Sequence, residues 1–237
     1  MQVLRKHSGG AYSMVALVGA AVIGWALFCA ACTHSDKFTT IDHLAPGELM
    51  ETGRDLLPAG VKLRPVYAAG ITVTKRSESW IPHLYNDAAK YCTIGYGHLV
   101  KLAPCNGTEP PEFLRGLTEP QGSDLLVRDM GTAQYAVMKS VSVPMRDGQF
   151  AALCDFTFNV GSRNFQNSTL LKLVNSQDTD RIPAQFRRWV LAGGKVWPGL
   201  KTRRENEIDL FFEGQNKPKG LPQAGEDLSP IDIRKGQ

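Results

Sequence analysis

The 237-residue sequence lacks long runs of like charge, internal repeats and histidine pairs at metal-ligand spacing. Its 27 lysines and arginines exceed its 23 acidic residues by only four, so charge gives no case for nucleic acid. His98 has no second histidine at ligand spacing, and the pattern Gly95-x-Gly97 lacks the third glycine of a phosphate-binding loop. The sequence therefore predicts no nucleic-acid partner, no metal and no other cofactor.

One long apolar stretch stands at the N-terminus. Positive charges at Arg5 and Lys6 precede an almost uninterrupted apolar run over residues 13–31. As a helix this run would measure about 28 Å, close to the thickness of a bilayer core. Residues 1–33 are therefore interpreted as a signal-anchor or a signal peptide. A cleaved signal, for which Ala30 and Ala31 offer small residues at a cleavage site, and acylation of Cys32 in a degenerate lipoprotein box are alternatives to an anchor, and all three export the chain.

The rest of the chain suits one domain between two less structured segments. Residues 34–68 are predicted to be a spacer, because prolines and glycines interrupt any long helix, and the polar tail 215–237 is predicted to be disordered. Within 69–214 we expect a helix over 71–79, a hairpin or three-stranded sheet over 85–100, and a loop over 104–115. Apolar residues at helical spacing then predict one helix from Thr118 past Val137 and further helices over 168–175, 183–191 and 200–213. The predicted class is α+β, with a small β lobe, a larger helical lobe and a cleft between them.

Cys92 and Cys105 flank the segment Thr-Ile-Gly-Tyr-Gly-His and are predicted to form a disulfide. In an oxidising compartment this bridge would add about 3 kcal/mol of stability by the loop-entropy model. Two unrelated thiols are the alternative. Exchange of this pair with Cys29 or Cys32 would provide redox control, although nothing in the sequence requires it.

Three oxygen-bearing side chains lie close together in sequence ahead of this turn. Asp87 follows Glu78 by nine positions, and Thr93 follows six positions later. An inverting glycosidase needs one carboxylic acid to protonate the leaving oxygen and one carboxylate to activate water. Glu78, Asp87 and Thr93 lie in so short a span that they can converge on one small site of this kind.

The same spacing, followed by Thr-Ile-Gly-Tyr-Gly-His, resembles the phage-type lysozymes of glycoside hydrolase family 24. Further blocks of resemblance follow in the same order, at residues 149–153, 158–161, 168–171, 189–196 and 198–205. They cover most of the chain from residue 69 to residue 214. The nineteen-residue apolar run, rich in alanine and glycine, resembles the signal-anchor-release segments of some endolysins.

The resemblance implies an endolysin, of a phage or prophage, that hydrolyses the β-1,4 bond between N-acetylmuramic acid and N-acetylglucosamine in peptidoglycan. It implies Glu78 as the general acid, Asp87 as the general base and Thr93 as the residue that positions the water. Gly95, Tyr96 and Gly97 would shape the site. Arg203 and Arg204 would reach Glu78 from the opposite lobe, unless they form a solvated face of the last helix. Trp189 and Trp197 are predicted to pack in the core and between the lobes rather than to stack on sugar. We expect a monomer, tethered to the inner membrane and acting in the periplasm.

Two other functions fit the same residues. A lytic transglycosylase needs only the acid/base glutamate, so Asp87 and Thr93 argue against it. A peptidoglycan-binding protein without catalytic activity would use the same scaffold, and only an assay of Glu78 separates it from an enzyme.

Overall fold

The computed structural model describes residues 57–221 and 223–236. Among these residues, no helix combines the length and the apolar character needed to cross a bilayer. The predicted export segment, 1–33, and the first part of the spacer, 34–56, lie outside the described residues. The last part of the spacer packs on the domain, because the Arg64 guanidinium lies 4.7 Å from the centroid of the Phe150 ring.

The small lobe is built around three strands, β1 (Ile81–Asn86), β2 (Cys92–Gly95) and β3 (His98–Lys101), which form an antiparallel sheet in that order. Helix α1 (Ala68–Ser77) precedes them and packs against the core of the larger lobe through Ile71 and Val73. The register pairs Thr93 with Tyr85 on β1 and with Leu99 on β3. Cys92, Ile94, Val100, Phe113 and Leu125 form a small separate core for this sheet.

The larger lobe is helical. It contains α2 (Pro111–Leu114), α3 (Glu119–Asp129), α4 (Gly131–Ser140), α5 (Asp147–Val160), α6 (Ser162–Asn167) and α7 (Thr169–Ser176). A short 3₁₀ helix (Thr179–Arg181) and α8 (Ile182–Arg187) follow. The hairpin of β4 (Leu191–Ala192) and β5 (Lys195–Val196) then precedes α9 (Pro198–Phe211).

Helix α5 forms the centre of this lobe and is buried along most of its length. The Phe156 ring makes edge-on contacts with three other buried rings, of Phe165, Phe186 and Trp189, at centroid distances of 5.3 to 6.4 Å. Such tilted pairs are the favoured aromatic geometry, and they fix α5 against α6 and α8. Trp189 is thus a core residue, as predicted.

The predicted α+β class is confirmed, but several of its elements differ from their predictions. The single helix expected after Thr118 is two helices, because α3 ends at Asp129 and α4 begins at Gly131. The loop predicted over 104–115 contains helix α2, and the helix predicted over 183–191 ends at Arg187, so that Leu191 lies in strand β4. The predicted start of α3 is correct, and the Thr118 backbone N–H donates to Gln121 Oε1 at 2.8 Å.

The chain after Gly214 also differs from its prediction. Its polar composition predicted a disordered tail, but the structure packs residues 223–236 against the helical lobe. Ile231 is only 5 % exposed, and its N–H donates to the Arg188 carbonyl. Two isoleucines separated by one residue, Ile231 and Ile233, supply apolar anchors that an average over the polar tail hides.

Candidate active site

Glu78 stands at the C-terminal end of α1, where the helix gives way to an extended backbone. Its N–H donates to the Thr74 carbonyl, and its own backbone has left the helical region. The side chain is one-quarter exposed. Helix α1 therefore presents this carboxylate to solvent at the point where the chain turns into the sheet.

Arg203 on α9 fixes that carboxylate from the helical lobe. Its Nη1 donates to Glu78 Oε1 at 2.6 Å, while its Nε and Nη2 donate to the two carboxylate oxygens of Asp155 at 3.0 and 2.9 Å. The guanidinium thus joins a partly exposed carboxylate to a fully buried one. The predicted contact between the last helix and Glu78 is present for Arg203, whose burial excludes a solvated face.

Arg204 does not reach Glu78. It is fully buried, lies 4.9 Å from the Phe156 ring centroid, and donates to Asn159 and Glu207 at 2.7 Å each. Successive residues of a helix point about 100° apart, so one of two adjacent arginines faces the cleft while the other faces the core. Arg204 is therefore a core residue, and its expected role at the site was wrong.

The ionisable groups behind Glu78 are buried together in the core. Burial alone would raise the pKa of Asp155, but the positive charge of Arg203 and bonds to its carboxylate hold that pKa below its ordinary value. Burial raises the pKa of Glu207 well above its ordinary value, and Glu207 Oε1 accepts a hydrogen bond from Arg204 at 2.7 Å. Asp155 and Glu207 thus support the two guanidiniums from the core.

Glu78 opens into a cleft of about 480 Å³. Its wall is formed by the ends of α1 and α5, the β4–β5 hairpin, the first turns of α9 and one residue of the C-terminal segment. The lining residues include Glu78, Asn159, Ala192, Trp197, Arg203 and Ile233. Gly97 borders the carboxylate on the other side, where a Cβ atom would lie 3.8 Å from Glu78 Oε2. Its φ of 86° also favours glycine.

Asp87 lies in the turn between β1 and β2. Its Oδ1 accepts hydrogen bonds from the N–H groups of Ala89 and Tyr91, at 2.8 and 2.9 Å. Both bonds use the same oxygen of the carboxylate. Burial raises the pKa of the Tyr85 phenol, and the charges of Asp87 and Glu78 raise it further. Both carboxylates thus act on one phenol.

Thr93 is buried in the centre of the sheet, and its hydroxyl donates to the Tyr91 carbonyl at 3.2 Å. That bond ties Thr93 to the turn that carries Asp87. Among the described residues, those lining the 480 Å³ cleft include neither Asp87 nor Thr93. Of the three predicted catalytic residues, the structure therefore places only Glu78 at this cleft.

Tyr96 and Gly95 support the turn rather than the cleft. The Tyr96 hydroxyl donates to Glu119 on α3 at 2.7 Å, and its ring lies 4.9 Å from that of Trp80. Burial and this acceptor raise the pKa of Tyr96 to about 12. Gly95 has a φ of 70°, which lets the chain turn between β2 and β3. Tyr96 thus fastens the sheet to α3.

The structure joins Cys92 to Cys105, the pair singled out from the sequence. The side chain of Glu109 lies within 4.8 Å of both sulfur atoms, which makes these three residues a geometrically possible metal group. Thiolates bind metals, however, and sulfurs in a disulfide carry no such charge. The Glu109 carboxylate instead pairs with Lys101 at 2.5 Å.

His98 has a structural role beside the sheet. Its Nδ1 lies 2.8 Å from Asp129 Oδ2, and its ring lies 5.6 Å from that of Phe113. The pair links β3 to the end of α3, beside the small core. No other histidine joins it among the described residues as a possible metal group.

The comparisons with known proteins agree with this geometry. Residues 75–207 match the model of the phage lysozyme family. An endolysin of Bacillus phage PZA is 33 % identical over 177 residues, which are 69 % of this chain and 66 % of that protein. A SAR-endolysin of bacteriophage PS119 is 36 % identical over 131 residues, which are 55 % of this chain and 74 % of that protein.

The fold is shared with solved structures. A mutant P22 lysozyme is 28 % identical and superposes with a TM-score of 0.54, over 63 % of this chain and 99 % of the other. The fold and the carboxylate at its cleft define a protein of lysozyme type. The chain belongs to the phage lysozyme family. It spans only 54 % of the endolysin of Bacillus phage B103 and 66 % of that of phage PZA.

Three residues of the site were not found from the sequence. Asp155 and Glu207 support Arg203 and Arg204 from the core, and Trp197 lies in the cleft with 54 % of its surface exposed rather than packed. Asp155 carried a signal, because it is the one charged residue within the apolar stretch 150–158. Trp197 carried none, since its exposure depends on the hairpin that precedes it.

Proposed function

We propose that this chain is an endolysin that hydrolyses the β-1,4 bond between N-acetylmuramic acid and N-acetylglucosamine in peptidoglycan. Glu78 donates a proton to the leaving oxygen. Asp87 accepts a proton from the attacking water, and Thr93 positions that water. Attack from the face opposite the leaving group inverts the anomeric centre.

One observation carries this function, namely the Glu78 carboxylate at the cleft with Oε1 held by Arg203 and Oε2 beside Gly97. The first contact fixes the orientation of the acid, and the second leaves space for a substrate atom next to it. A preorganised acid needs no rearrangement when the substrate arrives. The relatives named as endolysins support the same activity.

Replacement of Glu78 by glutamine tests the acid. Glutamine keeps the shape and can still accept from Arg203, but it cannot supply the proton. We expect a loss of peptidoglycan clearing of at least about 10²-fold, measured as turbidity of purified sacculi. The matched control is Glu112→Gln on exposed α2, which should clear at the wild-type rate. If Glu78→Gln cleared sacculi at the wild-type rate, Glu78 would not be the general acid. The alternative of a peptidoglycan-binding protein would then remain.

The products separate hydrolysis from transglycosylation. Hydrolysis with inversion leaves reducing muramic acid ends that are initially α, whereas a transglycosylase leaves anhydromuramic ends. Mass spectrometry of the soluble fragments distinguishes the two, and early proton NMR reports the anomer. If anhydromuramic ends were the main product, no water would attack the bond, and Asp87 and Thr93 would not have their proposed catalytic roles.

We further propose that residues 1–33 export the chain to the periplasm and tether it to the inner membrane. The apolar run over 13–31 and the similarity to SAR-endolysins support this location. Host lysis at the end of a phage cycle would follow from release of the tethered enzyme. Cell fractionation tests the tether, because an anchored chain stays with the membrane at full length. A processed soluble form alone would rule it out.

A further inference from the structure

The segment 223–236, here named the C-terminal strap, is attached to the helical lobe at several points. Glu226 accepts from Arg181 and Gln185 at 3.0 and 2.8 Å. Arg188 donates to the Ser229 carbonyl at 3.0 Å and to Asp227 at 3.1 Å. The strap lies after the residues that match the family model.

The strap also fixes the β4–β5 hairpin. The N–H of Ile233 donates to the Leu191 carbonyl at 2.9 Å, and the Leu191 N–H donates to the Ile231 carbonyl at 3.2 Å. Asp232 Oδ2 accepts from the Gly194 N–H at 2.6 Å. The strap therefore runs parallel to β4 at Leu191 and holds the tip of the hairpin.

This hairpin in turn orients Trp197. Its backbone N–H donates to the Val190 carbonyl at 3.0 Å, and its indole Nε1 donates to the Ala192 carbonyl at 3.1 Å. The indole is thus bound at one edge while 54 % of the residue stays exposed. A large aromatic ring held rigid in solvent contributes little to folding, because its burial is incomplete.

Trp197 and Ile233 both line the cleft that contains Glu78. One comes from the hairpin and the other from the strap, and Leu200 on α9 adds a third apolar side chain to the same wall. Polar groups of Asn206 and Thr202 lie in the same cleft. A rigid apolar wall with a few polar groups beside it is typical of a ligand-binding site.

We propose that Trp197 and Ile233 form an additional sugar-binding subsite for the glycan strand, built by the C-terminal strap. A pyranose ring of an N-acetylated amino sugar has an apolar face of C–H groups that would stack on the indole. The hydroxyl and acetamido groups at its rim would bond to the polar side chains nearby. The subsite presupposes the proposed muramidase function, and it extends the substrate contact beyond the sugars that flank the cut bond.

The experiment uses the full-length chain carrying Glu78→Gln, so that the probe is bound and not cut. The probe is the hexamer of β-1,4-linked N-acetylglucosamine, which contains no peptide and no lactate. Isothermal titration calorimetry compares this background with the further substitutions Trp197→Ala, Trp197→Phe and Ile233→Ala. We expect Trp197→Ala to raise Kd about tenfold, Ile233→Ala to raise it less, and Trp197→Phe to keep most of the affinity.

Val196→Ala is the matched control. Val196 is the neighbouring exposed hydrophobic residue of the hairpin, 48 % exposed, and it is not among the residues that line the cleft. The Val196→Ala variant should bind the hexamer with unchanged affinity. Thermal unfolding of each variant checks the fold, since an exposed side chain should not alter Tm. An unchanged Kd in folded Trp197→Ala would overturn the subsite.

Kinetics on peptidoglycan give a second readout in the otherwise wild-type chain. A subsite away from the cut bond predicts that Trp197→Ala raises KM about tenfold and changes kcat little. A loss of kcat alone would contradict the subsite. Failure of the proposed function is distinguishable, because then wild type would not cut peptidoglycan although the hexamer binding could still be compared.

Discussion

Arg203 holds two carboxylates that differ in their exposure. Glu78 is 25 % exposed at the cleft, whereas Asp155 is fully buried. A planar guanidinium can bond both at once, because its donors point in fixed directions within one plane. The residue thus couples the orientation of the acid to the core of the helical lobe.

Replacement of Arg203 by lysine should therefore disturb both stability and activity. Lysine keeps the charge but cannot bond Glu78 and both oxygens of Asp155 together, so a buried carboxylate loses partners. We expect a loss of about 1–3 kcal/mol in the free energy of unfolding and a large fall in peptidoglycan clearing. Urea unfolding measures the first. Arg187→Lys, in an exposed ion pair with Glu205, should cost less than about 1 kcal/mol, and equal losses for the two would contradict this role.

Gly97 permits a separate test at the scale of one methyl group. Its backbone has a φ of 86°, and a Cβ atom there would face Glu78 Oε2. We expect Gly97→Ala to lose about 1–2 kcal/mol of stability from the backbone and to lower clearing as well.

Gly107→Ala is the control for that substitution. Gly107 has a similar φ of 84°, but a Cβ atom there would meet open space. Its stability should fall by the same amount while its activity remains. If both variants kept full activity, Gly97 would be a turn residue only.

At the scale of elements, the loop after β3 is held by a buried ion pair. Burial alone would raise the pKa of Glu109, but Lys101 and the N–H groups of Asn106 and Gly107 lower it from 4.5 to about 2. A carboxyl group with a lowered pKa in the folded chain stabilises the fold at pH values above its pKa in the unfolded chain. This contribution is lost as the pH falls towards the folded pKa. The ion pair should thus protect this loop and its disulfide at neutral pH.

Glu109→Gln measures this contribution. Wild type should have the higher Tm at neutral pH, and the difference in Tm should shrink as the pH falls from 4.5 towards 2. Differential scanning calorimetry across this range provides the measurement. Glu112→Gln, on the exposed surface of α2, should show no difference at any pH. If the difference in Tm between wild type and Glu109→Gln stayed constant over this pH range, the charge of Glu109 would not be its cause.

The elements also show what the sequence could predict. Strong apolar periodicity and capping signals found α1, the sheet and the start of α3 at Thr118, because these signals act within a few residues. The break at Met130 follows no local signal of that kind. The β4–β5 hairpin has two residues in each strand, too few for alternation to be read, and it depends on the strap, which is distant in sequence.

The residues of the candidate site also divide into those with a local sequence signal and those whose role depends on tertiary packing. Glu78, Asp87 and Thr93 lie within sixteen residues, and their spacing predicts a common site, but of the three only Glu78 lines the cleft. The choice of Arg203 over Arg204 required the rotation of α9 relative to α5, which tertiary packing decides. Charge in an apolar helix, as at Asp155, is the local signal that can point to such buried networks.

At the scale of the whole molecule, the strap connects several elements of the helical lobe. It contacts α8, the hairpin and α6, where Asn164 Nδ2 donates to the Ile233 carbonyl at 2.9 Å. Ile231 is buried between these contacts, whereas Leu221, just before the strap, is 70 % exposed. The stability of the cleft wall should therefore depend on a segment outside the matched region.

Truncation of Ile231 to alanine tests this dependence. Removal of a buried isoleucine side chain should cost about 2–4 kcal/mol, while Leu221→Ala should change the free energy of unfolding by less than about 0.5 kcal/mol. If the strap detaches before the domain unfolds, limited proteolysis of Ile231→Ala will cut the chain after residue 214 while the rest resists. The tryptophan fluorescence of the protein should change in the same variant, because the strap holds the hairpin that orients the Trp197 indole. Wild-type protease resistance in Ile231→Ala would show that the polar contacts of Glu226 and Arg188 hold the strap without this anchor.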